Sequence, residues 1–120
     1  MQTKLIIAVL FFCFTQIGIA QNRKTKLTES QKIEALIKSI ENLQQARFYR
    51  NGSYYDAKTA GQHLRMKLDK AGDRIKTARD FIDKIASKSS MSGEDYKIVY
   101  NDGRVILARN FLYGILKTLE

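Results

Sequence analysis

Two clusters in this 120-residue chain are chemically suggestive. The first is His63-Leu64-Arg65-Met66-Lys67, followed by Lys70 and Arg74. Helical spacing makes His63 and Lys67 neighbours, and Lys70 and Arg74 continue the same ridge. Cations on a ridge without interposed acids suit phosphate or carboxylate. Arg65 points elsewhere, toward a local pairing with Asp69. The plainer reading makes His63 a boundary residue bonded to a backbone carbonyl and the lysines a solvated face.

The second cluster is the loop Ser87-Lys88-Ser89-Ser90-Met91-Ser92-Gly93. Consecutive hydroxyls beside a glycine can surround an anion with backbone N–H groups. The loop follows a helix C-terminus, however, where the dipole favours Lys88 over an anion. A Ser–Lys nucleophile pair needs a lysine whose pKa is lowered by burial. The Ser-x-x-Lys spacing of known acyl-enzymes is absent, and no acidic partner for His63 is evident. The plainer reading is a helix stop closed by a hydrogen-bonded turn.

Other chemistry finds little support. Asp80 and Asp83 share a helix side with Arg79 and Lys84, as on an ordinary solvated face. Glu94-Asp95 lacks the further oxygen ligands that calcium requires. One histidine and one cysteine exclude a His- or Cys-rich metal site. No metal, cofactor or catalytic residue is assigned, and the reading leans away from an enzyme.

Residues 1–20 have the parts of a cleavable export signal. Lys4 precedes the apolar run Leu5–Phe14, and Gly18-Ile19-Ala20 places small residues before a cut between Ala20 and Gln21. The apolar run is about 10 residues long, against the roughly 20 that span a bilayer. Cys13 follows Phe11-Phe12 rather than small residues, which disfavours lipid modification there. Cleavage would leave 100 residues, enough for one modest core, and no cysteine. Loss of Lys4 lowers the formal net charge from +9 by one, to +8. Such a balance favours anionic partners: phospholipid headgroups, lipopolysaccharide phosphates, acidic glycans or an acidic protein. Nucleic acid fits the charge but not the compartment, which is expected to be periplasmic or extracellular. No transmembrane segment is expected after cleavage, and the bland account of the charge is solubility.

The elements that must hold both clusters are legible as patterns. Gln21–Leu27 reads as a disordered lead-in to a single globular domain over 28–120. Thr28 and Gln31 form a capping box before a helix over about 29–47, with Ile33, Leu36, Ile37, Ile40 and Leu43 on one face. Phe48–Tyr55 is an aromatic segment around an Asn51-Gly52 turn, expected to pack over helix ends. Asp56 caps a helix over 57–71. Gly72 and a second capping box, Thr77 with Asp80, argue for a separate helix over 77–87; one kinked helix is the runner-up. Alternation in Tyr96–Tyr100 and the Asn101-Asp102-Gly103 turn predict a short hairpin returning through Arg104-Val105-Ile106. Ala108, Phe111, Leu112, Ile115, Leu116 and Leu119 mark a final helix. The expected fold is mainly α: a small four-helix domain with one short β-hairpin before the last helix.

Asn51-Gly52-Ser53, His63-Leu64-Arg65-Met66-Lys67-Leu68, Thr77-Ala78 with Phe81-Ile82, and Ala86–Ser90 with Ser92-Gly93 resemble one family across nearly the whole mature chain. It comprises small exported bacterial proteins of the YfeK type, a domain of unknown function. The resemblance implies a bacterial envelope protein and brings no activity. Where that family has Gly-x-Pro-Tyr after the serine loop, this chain has Gly93-Glu94-Asp95-Tyr96. The leading functional expectation is a non-catalytic module binding an anionic envelope component or acidic protein. The tentative binding set is His63, Arg65, Lys67, Lys70, Arg74, Ser87, Lys88, Ser89, Ser90 and Ser92. The alternatives are a small hydrolase using the Ser87–Ser92 loop, and a structural subunit docking through Phe48–Tyr55 or the final helix.

Overall fold

The computed structural model describes residues 25–120, so the expected export signal, its Ala20/Gln21 cut and Cys13 lie outside the described residues. Helix α1 (Glu29–Glu41) starts at the anticipated box: Thr28 Oγ1 accepts from Gln31 N at 3.1 Å, and Gln31 Oε1 accepts from Thr28 N at 2.9 Å. Ile33, Leu36, Ile37 and Ile40 bury its apolar stripe. The helix stops at Asn42, short of the expected residue 47, and the chain turns through Gln45 at φ 54°.

Strands β1 (Ala46–Arg50) and β2 (Ser53–Tyr55) follow, where a helix tail and an aromatic cap were expected. Asn51 and Gly52, at φ 50° and 82°, form the two-residue turn between them. Positive φ at both central positions matches the twist of paired strands, which is why Asn-Gly flanked by strand formers makes a hairpin. Helix α2 (Ala57–Ala71) begins where Asp56 accepts from Thr59 N at 2.7 Å. Gly72, at φ 55°, ends it in a 3-10 turn (Gly72–Arg74). The chain then restarts at α3 (Ala78–Asp80), capped reciprocally by Thr77 and Asp80. The break between the two helices is thus real, and a single kinked helix is not formed. α3 runs into a π-helical turn (Phe81–Ile85) closed by Ala86 N donating to Phe81 O at 3.1 Å.

Strands β3 (Lys97–Tyr100) and β4 (Val105–Leu107) form the expected hairpin, and α4 (Ala108–Leu119) follows. This hairpin does not stand alone. β3 pairs antiparallel with β1, so the sheet has four strands in the order β2-β1-β3-β4. A mainly α fold with one hairpin is therefore incorrect: the domain is a four-stranded antiparallel sheet covered by helices.

The pairing register defines the two faces of the sheet. Ala46, Phe48, Ile98, Tyr100 and Ile106 turn inward to the helical core, where Phe48 and Ile98 join Leu36, Leu64, Phe81, Leu112 and Leu116. Arg47, Tyr49, Tyr54, Lys97, Val99, Val105 and Leu107 occupy the opposite positions. None of these seven belongs to the core or its partly buried margin. Among the described residues the sheet is covered on one side and open on the other, as antiparallel sheets commonly are.

Helices α1 and α2 approach closely at Gly61. A Cβ there would run into the Glu41 side chain, which lies across the α2 backbone. Arg65, one turn further along α2, receives that carboxylate: Nε donates to Glu41 Oε2 at 3.0 Å.

Candidate functional site

The sequence-predicted residues separate into three places. Arg65 leaves the ridge altogether. Its guanidinium donates twice to Glu34 at 2.8 Å and also to Glu41, so it clamps α2 to α1. Asp69, its expected partner, is not in this ion pair. Hydrogen bonds to Glu34 and then Glu41 raise the Arg65 pKa, and the Arg65 bond holds the Glu34 carboxyl below its usual range.

His63 lies in a separate small cavity of about 40 Å³ with Phe48, Arg50, Tyr55, Thr59 and Ala60. Burial lowers its pKa, and the charges of Arg50, Lys67 and Lys70 lower it further. These effects disfavour the charged imidazole, so His63 is a poor cation for an anion site.

Lys67 and Ser87 perform a structural task that their sequence positions did not disclose. The end of the π turn leaves carbonyls without intrahelical partners. Ser87 Oγ donates to Ile82 O at 2.6 Å, and Lys67 Nζ donates to Ile85 O at 2.8 Å. Lys67 also donates to Lys88 O at 3.3 Å and to the hydroxyl of buried Tyr96 at 3.0 Å. Lys67 thus stitches α2 to the end of the α3 segment and to the start of the serine loop.

That loop is a closed turn. Ser89, nearly fully buried, accepts from Met91 N at 3.1 Å and Ser92 N at 3.3 Å. Its hydroxyl also accepts from Asn51 Nδ2 at 2.9 Å, while Ser92 Oγ donates to Asn51 Oδ1 at 2.5 Å. The β1–β2 turn and the serine loop are locked together by one asparagine. Ser87, Ser89 and Ser92 are all engaged with backbone or amide groups, and none contacts a lysine or histidine side chain that would serve as a base. Lys88 and Ser87 border a shallow depression with Asp83, Asp95 and Arg109, where charges of both signs alternate. Arg109 donates to Asp95 there at 2.7 Å.

The remaining candidates converge. Lys67 and Lys70 of α2 and Arg74 of the following 3-10 turn line one groove of about 490 Å³ together with Lys84, Ile85 and Ser90. Ala71, Ile75 and Ile85 supply its apolar lining, and no carboxylate lines it. Arg74 is tethered to the α2 C-terminus, its Nε donating to Ala71 O at 3.1 Å. Exposed Lys84 lies 3.7 Å from half-buried Asp80, a loose pair that leaves its charge available. Lys84 was missed in the sequence because it resembled the partner of a solvated acid. The break at Gly72 lets the chain return so that Lys84 lines the same groove as Lys70. Among the described residues, no group of three His, Cys, Asp or Glu side chains is placed to hold a metal. No helix among them is long and apolar enough to cross a membrane.

The fold and groove define a small antiparallel α/β domain with a basic cleft floored by aliphatic side chains. The chain belongs to a family of unknown function (DUF5329), whose profile matches residues 27–120. It is 40% identical over 68 residues to the uncharacterized protein YfeK of Salmonella typhimurium (strain LT2), a match covering 57% of each chain. The chain thus spans a little over half the length of that relative. No solved structure matches it. The resemblance to YfeK-type bacterial proteins is borne out, and the family brings no activity.

Proposed function

We propose that this protein is a non-catalytic binding module of the bacterial envelope, exported by residues 1–20, that takes an anionic ligand with an apolar portion in the α2–α3 groove. One observation carries the reading: Lys67, Lys70, Arg74 and Lys84 line a single cleft with no carboxylate among its lining residues, over Ala71, Ile75 and Ile85. Cations attract the anionic end, and the aliphatic floor rewards an attached hydrocarbon. The volume falls in the range of roughly 300–1,000 Å³ typical of small-molecule sites. Ser90 adds a hydroxyl at the rim.

The serine loop serves this site as a wall. The locked Ser89 and Ser92 hydroxyls favour that role over a nucleophile's.

A titration of backbone amide resonances tests the reading. Dodecyl phosphate should shift resonances of residues 67–75 and 84–90 at concentrations where inorganic phosphate shifts them weakly. Shifts centred on His63 or Arg65, or equal responses to both probes, would contradict it.

A further inference from the structure

We propose that the outward face of the sheet docks this protein on an anionic bilayer surface. Strand register places Arg47, Tyr49, Tyr54, Lys97, Val99 and Val105 side by side on that face. Tyr54 is 51% exposed and Val105 55%, and the register sets them on the same face as both cations. The outward strand positions include two cations, and the face's one adjoining carboxylate among the described hydrogen bonds, exposed Glu94, accepts from the Tyr49 hydroxyl at 3.3 Å.

The geometry within the face favours lipid over sugar. The Arg47 guanidinium carbon lies 4.5 Å from the centre of the Tyr54 ring, and Lys97 Nζ lies 5.3 Å from that of Tyr49. The two rings meet edge to face at 5.4 Å. Each tyrosine therefore already carries a cation beside its ring. Val99 and Val105 offer nothing to a glycan's hydroxyls. Cations held beside tyrosines and exposed aliphatic groups suit the headgroup region instead. There phosphates meet Arg and Lys while the ring bodies and valines reach the acyl boundary.

This face is separate from the α2–α3 groove in its residues, so the two proposals fail independently. The test is sedimentation of the purified protein with vesicles of phosphatidylcholine alone and of phosphatidylcholine with one-quarter phosphatidylglycerol. Binding should require phosphatidylglycerol and weaken as salt rises. Each cation near an anionic surface contributes about fivefold, so Arg47→Glu with Lys97→Glu should lower partitioning by more than about tenfold. Val105→Glu should lower it severalfold. Lys38→Glu with Lys117→Glu, exposed and outside both the face and the groove, changes net charge by the same amount and should lower partitioning by no more than about twofold. Unfolding curves taken on every variant confirm that the fold persists. Equal losses in the two double variants, or no binding to anionic vesicles, would overturn the proposal. Retention on an acidic polysaccharide through Arg47 and Lys97, without vesicle binding, would overturn it in favour of a glycan.

Discussion

Asn51 Nδ2 and Ser89 Oγ meet at 2.9 Å across 38 residues of sequence. Asn51 holds the left-handed conformation of a hairpin turn and, through its amide, the two hydroxyls that close the serine loop. The Asn51-Gly52 turn and the serine loop are in this way halves of one structural lock beside the groove.

Replacing Asn51 separates the two roles. Asn51→Gly keeps the positive φ and loses both side-chain bonds, at a cost of about 1–2 kcal/mol. Asn51→Ala adds strain from the left-handed conformation, for a total of about 2–3 kcal/mol. Urea unfolding of both variants reads the difference. A glycine variant as stable as the parent would show that the lock contributes nothing.

Gly61→Ala should destabilise, although alanine is favoured over glycine in a helix by up to about 1 kcal/mol. The new methyl meets Glu41, whose displacement disturbs the Arg65 pair. Overpacking of this kind costs about 1–3 kcal/mol. Adding Glu41→Ala should recover much of the loss by making room for the methyl. A Gly61→Ala protein more stable than the parent would contradict the close approach of α1 and α2.

His63 makes stability depend on pH in a defined direction. Its folded pKa lies below the ordinary 6.5 because burial, then Arg50, Lys67 and Lys70, oppose its protonation. Between the folded value and 6.5 the unfolded chain binds more protons, so stability rises with pH there and levels off above. Below that window Glu29 and Asp56 act in the same direction. A backbone hydrogen bond from Ala78 lowers the Glu29 pKa and one from Thr59 lowers that of Asp56, so their contributions are lost in acid. His63→Gln should flatten the profile just below pH 6.5 and leave the more acidic limb in place. An unchanged profile would place His63 in a solvated setting.

Local signals in the sequence were dependable and long-range ones were not. Thr28 with Gln31, Asp56, and Thr77 with Asp80 mark their helix starts because caps act within three residues. The segment Ala46–Arg50 was misjudged because Leu43 continues the α1 spacing, while the partner that makes it a strand, Lys97–Tyr100, lies far along the chain. Once that pairing is missed, Asn51-Gly52 reads as a turn in an aromatic cap rather than as the turn of a hairpin. Arg65 shows the same limit: Asp69 is its neighbour along the helix, but Glu34 and Glu41 on α1 hold it. Lys67 was visible as a cation, yet its acceptors at Ile85 and Lys88 are backbone carbonyls that no spacing rule reveals. The basic ridge itself was half legible. Lys70 and Arg74 were found, and Lys84 required the turn at Gly72 to bring α3 alongside.

The groove is tested most directly by the affinity of dodecyl phosphate for the protein and for its Lys70→Glu and Lys84→Glu variants, measured by calorimetry below the detergent's micelle concentration. The account predicts a single site, a loss of roughly tenfold or more for each reversal, as a charge–charge contribution above about 1.4 kcal/mol implies, and little change for Arg65→Lys. Binding unaffected by both reversals, or equally weakened by the Arg65 substitution, would contradict it.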